Sequence, residues 1–172
     1  TKELFSPGHR ACAGCGQSVA ARVVANALGP DTIIANATGC LEVTTTPFPE
    51  SAWGVPWIHS LFENAPAIAS GVLAALKQKK LDKQVKVVAQ GGDGSTFDIS
   101  FGLISGMWER GDNILYICYD NEAYSNTGMQ ASGATPFGSS TTTTPVGEGK
   151  GAIEFGSGQR KKDMVAIAIA WP

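Results

Sequence analysis

Three cysteines in this sequence have the spacing of ligands to a single metal group. Cys12 and Cys15 form a C-x-x-C pair in which Gly14 and Gly16 remove side-chain obstruction, and Cys40 follows further along the chain. A tight turn places two thiolates on one face, and the third can close on the same metal group after a helix and a strand. These soft ligands suit an iron-sulfur cubane or a zinc ion, and the C-x-x-C spacing is common to both.

A glycine-rich turn around Asp93 could hold a phosphorylated ligand. Gly91, Gly92 and Gly94 let the backbone approach a ligand closely, and the helix expected after them presents unpaired N–H groups to a diphosphate. Asp93 supplies a hard oxygen to a Mg²⁺ ion that would bridge the diphosphate to the protein. Because glycine and aspartate are also frequent in ordinary turns, the tripeptide alone does not distinguish the two cases.

The position of Asn121 favours the ligand site. Twenty-six residues separate Gly94 from Asn121, which is enough for one helix and a return along the adjacent parallel strand. Asn121 should therefore emerge beside Asp93, at the carboxyl edge where open α/β sheets bind ligands. Its side chain can give the metal a second oxygen, and a backbone carbonyl just beyond it can give a third.

The elements that must position these residues alternate between strand and helix patterns. Strands are expected at 32–36, 85–90 and 114–119, and helices at 17–28, 98–110, 163–170 and from the N-cap Asn64 to the basic end at Lys77–Lys80. This order predicts an α/β protein with a mostly parallel sheet and helices on both faces. A chain of 172 residues suits one domain, so we expect a single unit over 1–172 with the cysteine segment at about 8–42.

Composition and charge argue against several classes of partner. The chain is 43% hydrophobic with a net charge of −2, which gives no electrostatic reason to expect nucleic acid or an anionic membrane. No apolar run approaches the roughly 20 residues that a bilayer requires, and Thr1–Arg10 lacks the apolar stretch of a secretory signal. We therefore expect a cytoplasmic protein with no membrane or nucleic-acid partner, in which disulfide bonds are disfavoured.

Four stretches of the sequence resemble one enzyme family. They are residues 8–16 (GHRACAGCG), 37–43 (ATGCLEV), 60–65 (SLFENA) and 119–130 (YDNEAYSNTGMQ). Each is similar to the corresponding part of the pyruvate:ferredoxin oxidoreductases, in the β subunit of the multi-subunit forms of this 2-oxoacid:ferredoxin oxidoreductase family. The resemblance covers about residue 5 to 145. It implies the thiamine-diphosphate-binding fold, because Gly92-Asp93-Gly94 followed by Asn121 is similar to the thiamine-diphosphate fingerprint.

The resemblance also implies roles for individual residues. Mg²⁺ would be held by the side chains of Asp93 and Asn121 and by the Ala123 carbonyl, and the catalytic residue Asn126 would lie close to the thiazolium and the substrate. Glu63 would neighbour the cofactor without activating its aminopyrimidine, a role expected for a glutamate on another subunit. The residues implied in cofactor binding are Gly39, Glu63, Gly92, Asp93, Gly94, Ser95, Asn121 and Ala123.

By the same resemblance, Cys12, Cys15 and Cys40 would be three of the four ligands of a 4Fe-4S cluster. The fourth ligand, also a cysteine, is expected beyond Pro172, because we expect the C-terminal part of the natural protein to be missing. Cys118, the one remaining cysteine, lies in an apolar strand and is expected to be a small buried thiol.

The activity implied is oxidative decarboxylation of pyruvate with coenzyme A, giving acetyl-CoA and CO2 and passing electrons through 4Fe-4S clusters to ferredoxin. The partners would be other subunits, of α, γ and δ type, together with ferredoxin. One alternative is a related branched-chain 2-oxoacid or oxalate oxidoreductase subunit. A non-redox thiamine-diphosphate enzyme would leave the cysteines without a role, and a structural zinc module would explain only the cysteines.

The other polar and aromatic residues of these motifs have simpler interpretations. Tyr124 is expected to pack its loop onto the sheet, and His9 and His59 are expected to have structural roles. The segment 132–158 is rich in glycine, serine and threonine. Its first part should close over the cofactor, and its second part, 148–158, should be a partly disordered surface loop.

Overall fold

The computed structural model describes residues 3–147 and 154–171. Most of the predicted disordered loop, from 148 to 153, lies outside the described residues. Its last part is not a free surface loop, because the Gly138 N–H donates to the Ser157 carbonyl at 2.8 Å and the Ser157 N–H donates to the Ser139 carbonyl at 2.9 Å. These backbone hydrogen bonds pack Ser157 against the preceding loop.

Four parallel strands form one sheet. They are β1 (Thr32–Asn36), β2 (Trp57–His59), β3 (Lys86–Gly92) and β4 (Leu115–Tyr119), and they lie in the order β2-β1-β3-β4. Asn36 is opposite His59 on one side and Gln90 on the other, and Gly92 is opposite Tyr119. The predicted parallel sheet is confirmed, and the carboxyl ends of its strands share one edge.

Helices cover both faces of this sheet, as predicted. They are α1 (Gly16–Leu28), α2 (Cys40–Thr45), α3 (Ala65–Gln78), α4 (Phe101–Glu109) and α5 (Met164–Ile169). On one face, α1 packs on a core that includes Ile34 and Val88, and on the other, α3 packs on a core that includes Ala35 and Val87. Neighbouring residues of a strand thus point to opposite faces. Within the residues that the structure describes, no helix has both the length and the apolar character that crossing a membrane requires.

The helix after β3 begins earlier than the sequence predicts. A π-helix spans Gly94–Ile99 and leads directly into α4, whereas the apolar pattern indicates a start at Asp98. The sequence does not predict the first turns as helical because glycine, serine and threonine are weak helix formers. Here the Ser100 N–H donates to the Ser95 carbonyl at 2.8 Å, the wide spacing of a π-helix.

Two short elements and one helix cap differ from the sequence-based expectation. The helix α2 was not predicted because its C-terminal half is rich in β-branched residues, and β2 is only three residues long. The Thr44 and Thr45 hydroxyls in α2 donate back to the Cys40 and Leu41 carbonyls, at 2.7 and 2.5 Å. Asn64 precedes α3 as predicted, but its side chain accepts from the Leu61 N–H at 2.9 Å instead of capping a helical N–H.

Candidate functional site

Asp93 follows β3 directly and is a buried carboxylate, with 1% of its surface exposed. Its Oδ1 accepts from the Asn121 backbone N–H at 3.3 Å, and its Oδ2 accepts from the Ser132 hydroxyl. Burial raises the pKa of Asp93, and these two hydrogen bonds offset only part of that effect. Within the described ranges no lysine, arginine or histidine forms an ion pair with Asp93. A bound cation would supply the missing countercharge.

The Asn121 side chain completes a cluster of oxygens beside Asp93. Its amide oxygen faces Asp93 Oδ1 at 2.9 Å, the Ala123 carbonyl at 2.8 Å and Ser125 Oγ at 3.1 Å, and turning the amide over would let its nitrogen donate to the same three atoms. Oxygens bound to adjacent positions of an octahedral Mg²⁺ lie about 3 Å apart. The Asp93, Asn121 and Ala123 oxygens therefore fit a Mg²⁺ ion, and amide rotation relieves their repulsion without one.

The loop after β4 is shaped by its backbone and by Tyr124. Glu122 and Met129 have left-handed conformations, with φ of 66° and 64°, and between them the Tyr124 N–H donates to the Gln130 carbonyl at 2.9 Å. The Tyr124 ring lies against Gly94, where a β-carbon would overlap it. Tyr124 therefore packs the loop onto the π-helix, whereas packing onto the sheet was expected, and Gly94 is required by this contact.

Two lysines from the segment before α5 hold this loop in place. Lys161 Nζ lies 2.5 Å from Asp120 and 3.3 Å from Glu122, the neighbours of Asn121 on either side. Lys162 Nζ lies 2.7 Å from Asp98 Oδ1. The other oxygen of Asp98 accepts from the Tyr124 hydroxyl at 3.0 Å and from the Gly133 N–H at 2.9 Å.

Hydroxyl groups of the π-helix and α4 fix the segment before α3. Ser95 donates to the Phe62 carbonyl at 3.1 Å, and Ser100 donates to the Glu63 carbonyl. Phe62 lines the cleft in front of Asp93, whereas Glu63 does not. The contact seen for Glu63 is thus through its backbone.

A cleft opens at this edge of the sheet. Of the residues implied in cofactor binding and catalysis, it is lined by Gly39, Gly92, Asp93, Gly94, Ser95, Asn121, Ala123 and Asn126. Beneath it, a buried polar row crosses the strands: Gln90 donates to Asn36 Oδ1 at 2.5 Å and accepts from the Tyr119 hydroxyl at 3.2 Å. This row satisfies polar groups that would otherwise be buried without partners.

A second cleft is lined by all four cysteines. Gly14, with φ of 74°, makes the turn in which the Cys15 N–H donates to the Cys12 carbonyl at 3.1 Å. Cys40 begins α2, and its pKa is raised by burial and by the neighbouring thiols of Cys15 and Cys12. In the part of the chain that the structure describes, no three histidine, cysteine or acidic side chains are close enough to hold one metal ion. The structure thus gathers the cysteines at one cleft without forming a closed ligand set.

Cys118 differs from the other three cysteines of this cleft because it lies in a strand of the sheet. It is partly buried in β4, and burial raises its pKa to about 11. A metal ligand must be a thiolate, and burial disfavours that charged form. Cys118 thus lies in a strand as expected, but it is only partly buried and lines the cleft with the other three cysteines.

Two residues at the site could not be identified from sequence patterns. Gln17, in the first turn of α1, lines both clefts. Its position two residues after Cys15 is the only feature of the sequence that places it near the predicted metal ligands. Ser132 contacts Asp93 from a loop 39 residues further along the chain, and no spacing rule connects the two. Cys40, Asn121 and Ser125 also line both clefts, so the clefts share a wall.

Comparison with known proteins agrees with this geometry. Residues 37–171 match the family model described as thiamine pyrophosphate enzyme, C-terminal TPP binding domain. The solved structure of a 2-oxoglutarate:ferredoxin oxidoreductase from Magnetococcus marinus is similar in fold, with a TM-score of 0.65 and 23% identity over 89% of this chain and 55% of that chain. The fold predicted from the fingerprint is therefore confirmed.

Relatives with higher identity are subunits of oxidoreductases. The chain is 55% identical to pyruvate synthase subunit PorB of Methanocaldococcus jannaschii, over 98% of this chain and 57% of that protein. It is 47% identical to PorB of Thermotoga maritima and 42% identical to ketoisovalerate oxidoreductase subunit VorB of Pyrococcus abyssi, in each case over 98% of this chain and 54% of the relative. The chain thus spans a little over half the length of these relatives. With a family match over residues 37–171, it belongs to the thiamine pyrophosphate enzymes that share the C-terminal TPP-binding domain.

Proposed function

We propose that this chain binds the diphosphate of thiamine diphosphate through a Mg²⁺ ion. The observation that carries this proposal is the oxygen cluster of Asp93, Asn121 and Ala123, which lies at the carboxyl edge of the sheet in a family of TPP-binding domains. Asp93 supplies the charge, while Asn121 and the Ala123 carbonyl supply neutral oxygens. The turn formed by Gly92, Gly94 and Ser95 brings the start of the π-helix to the diphosphate.

The chain's own residues would position the reaction. Thiamine diphosphate, when bound, supplies the carbanion that attacks the keto carbon of a 2-oxoacid and stabilises the electrons left when CO2 departs. Asn126 lines the cleft and would hydrogen-bond the substrate carboxylate or a developing hydroxyl. Lys161 and Lys162 hold the loop that carries Asn121 and Ala123, and the buried position of Asp93 keeps water from its side of the metal.

We also propose that Cys12, Cys15 and Cys40 bind a 4Fe-4S cluster, with a fourth cysteine supplied from outside this chain. Support comes from the donor set, since these three thiols line one cleft together with the partly buried Cys118, and from the wall that this cleft shares with the cofactor cleft. A shared wall suits single-electron steps between the two centres. A structural zinc site would have no need to lie beside the cofactor cleft.

For the whole protein, we infer the β subunit of a pyruvate:ferredoxin oxidoreductase. It would form acetyl-CoA and CO2 from pyruvate and coenzyme A, together with α, γ and δ type subunits, and would pass electrons to ferredoxin in the cytoplasm. The names of relatives at 47 to 55% identity support pyruvate. A branched-chain 2-oxoacid is the second candidate, supported by the relative named for ketoisovalerate at 42% identity.

Anaerobic purification separates these possibilities. We expect broad visible absorption with iron and little zinc, and Mg²⁺-dependent binding of thiamine diphosphate measured by calorimetry. Zinc without iron would overturn the cluster, and failure to bind the cofactor would overturn the Mg²⁺-diphosphate site. In the assembled oxidoreductase, kcat/KM should be higher for pyruvate than for 2-ketoisovalerate, and turnover by the isolated chain would contradict the multi-subunit assembly.

A further inference from the structure

A chain of three side chains, joined by one hydrogen bond and one longer charged contact, reaches the cofactor cleft from the β1–β2 side. Thr38 Oγ1 lies 2.8 Å from His59 Nε2, and the other ring nitrogen, Nδ1, lies 3.9 Å from Glu42 Oε1. Thr38 lines the cleft, whereas His59 and Glu42 lie behind it. The imidazole therefore holds a hydroxyl group that a ligand in the cleft can contact.

The fold fixes His59 from several directions. It is the last residue of β2 and is opposite Asn36 in the sheet, and its ring stacks on Trp57 with a centroid separation of 6.0 Å. Glu42 approaches from α2, and both the His59 and Glu42 side chains are mostly buried. Because Trp57 and Glu42 hold the His59 ring, the hydrogen bond from this ring restricts the rotation of the Thr38 hydroxyl.

The location of Thr38 sets the kind of ligand atom it can reach. Thr38 follows β1, which lies directly beside β3, so it is about 5 Å across the sheet from the turn that carries Asp93. Ligands proposed for this cleft carry anionic oxygens, either on the diphosphate or on the carboxylate of a 2-oxoacid. A threonine hydroxyl has one proton to donate, so it can bind such an oxygen when the His59 Nε2–H donates to Thr38 Oγ1.

We propose that Thr38 binds an anionic ligand oxygen in the cofactor cleft and that His59 is its positioning residue, with Glu42 fixing the far side of the imidazole. This inference rests on the proposed thiamine-diphosphate function. It adds a second polar contact at the β1–β2 end of a cleft whose Mg²⁺ ligands lie at the β3–β4 end.

The test uses paired variants in two assays. The first assay measures binding of thiamine diphosphate and of inorganic diphosphate, each with Mg²⁺, by calorimetry. The second measures pyruvate KM and kcat in the assembled oxidoreductase. The variants are Thr38→Val, Thr38→Ser, His59→Ala, His59→Gln and the double variant Thr38→Val/His59→Ala. The control is His9→Gln, because His9 lies against Phe5 and does not line the cofactor cleft.

We expect Thr38→Val and His59→Ala each either to lower the affinity for the diphosphate ligands or to raise the pyruvate KM, by about tenfold. This is the effect of losing a hydrogen bond to a charged oxygen. Weaker binding of both thiamine diphosphate and inorganic diphosphate identifies a phosphate oxygen, and a raised pyruvate KM with unchanged cofactor binding identifies the substrate carboxylate. Thr38→Ser and His59→Gln should retain most of the function, and the double variant should be no worse than either single variant.

Wild-type values in both assays for Thr38→Val and His59→Ala would overturn the inference, as would additive effects in the double variant. Equal thermal unfolding of the cofactor-free variants shows that the effect is not a general loss of structure. If the wild-type chain binds no thiamine diphosphate, the proposed function itself fails and this inference fails with it. If only the variants fail to respond, the proposed function stands without this contact.

Discussion

At the scale of single residues, Asp93 decides whether the cleft binds a cation. Asp93→Asn keeps the shape of the side chain and removes its charge, so we expect Mg²⁺-dependent binding of thiamine diphosphate to fall about 100-fold or more, because charge-assisted contacts are the strong ones. The cofactor-free variant should unfold at the same temperature as the wild type or higher, since it no longer buries an unpaired carboxylate. Calorimetry and thermal unfolding measure both effects.

Asp82→Asn is the matched control, because Asp82 lies before β3, at the opposite edge of the sheet. It should leave cofactor affinity unchanged. If Asp93→Asn binds thiamine diphosphate with wild-type affinity, Asp93 is not a metal ligand, whatever the effect of the substitution on stability.

Individual site residues were predictable where spacing along the chain carries three-dimensional information. Asp93 and Asn121 were expected at one edge because a strand, a helix and a second parallel strand bring them there, and the structure places them in contact. Ser132 was not predictable, because it reaches Asp93 through a loop whose path depends on packing. Gln17 likewise reaches the clefts only once α1 is docked on the sheet.

At the scale of elements, the fit between the π-helix and the loop after β4 depends on Gly94. A β-carbon there would overlap the Tyr124 ring, so Gly94→Ala should displace the loop that carries Asn121 and Ala123. We expect lower thermal stability and at least tenfold weaker cofactor binding, since overpacking costs about 1–3 kcal/mol. Differential scanning calorimetry and cofactor titration measure the two effects.

Gly102→Ala is the matched substitution on α4. A β-carbon at Gly102 meets no atom within 4 Å, and replacing an exposed helical glycine by alanine stabilises a helix by roughly 0.5–1 kcal/mol. The two variants should therefore shift the unfolding temperature in opposite directions. A shift in the same direction would show that the Tyr124 contact does not control the loop.

The loop and the segment before α5 are joined at Asp98, which should make them sensitive to acid. Burial alone would raise the pKa of Asp98, but the contacts from Lys162, the Gly133 N–H and Tyr124 lower it below its ordinary value. A lowered folded-state pKa means that the stabilisation is complete above the unfolded-state value of about 4 and is lost as pH falls through the folded-state value. Asp98→Asn should therefore reduce the slope of unfolding free energy against pH below about pH 4.

Urea unfolding at a series of pH values measures that slope, with Asp31→Asn as the control because Asp31 is exposed at the start of β1. The control should follow the wild-type curve. An Asp98→Asn curve parallel to the wild type would show that the contacts of Asp98 contribute no acid sensitivity.

Among the elements, those with a clear apolar pattern followed from sequence, whereas α2, β2 and the π-helix did not. Periodic apolar residues located α1, α3, β3 and β4 to within one or two residues. The helix α2 and the π-helix are built from residues of weak helix propensity, and their hydroxyl groups and packing hold them instead. Local sequence patterns contain no record of these tertiary contacts.

At the scale of the whole molecule, the two clefts are one feature rather than two. Cys40 lines both, at the start of α2 on the edge between β1 and β3, and Asn121 and Ser125 do so from the loop after β4. The sequence predicted a metal centre and a cofactor site separately, and their common wall appears only once the sheet order is known. The proposed cluster and cofactor sites would therefore share Cys40 as a lining residue.

The four cysteines should therefore separate into two groups by their effect on iron content. Alanine substitution of Cys12, Cys15 or Cys40 should remove the iron and the visible absorption of the anaerobic protein, and Cys40→Ala should also alter cofactor affinity because Cys40 lines both clefts. Cys118→Ala should retain the iron, since Cys118 lies within the strand β4, where burial disfavours a thiolate. Iron analysis and absorption spectra, with cofactor titration of each variant, provide the measurement. Loss of iron in Cys118→Ala would make Cys118 a ligand and contradict the proposal of a fourth cysteine outside this chain.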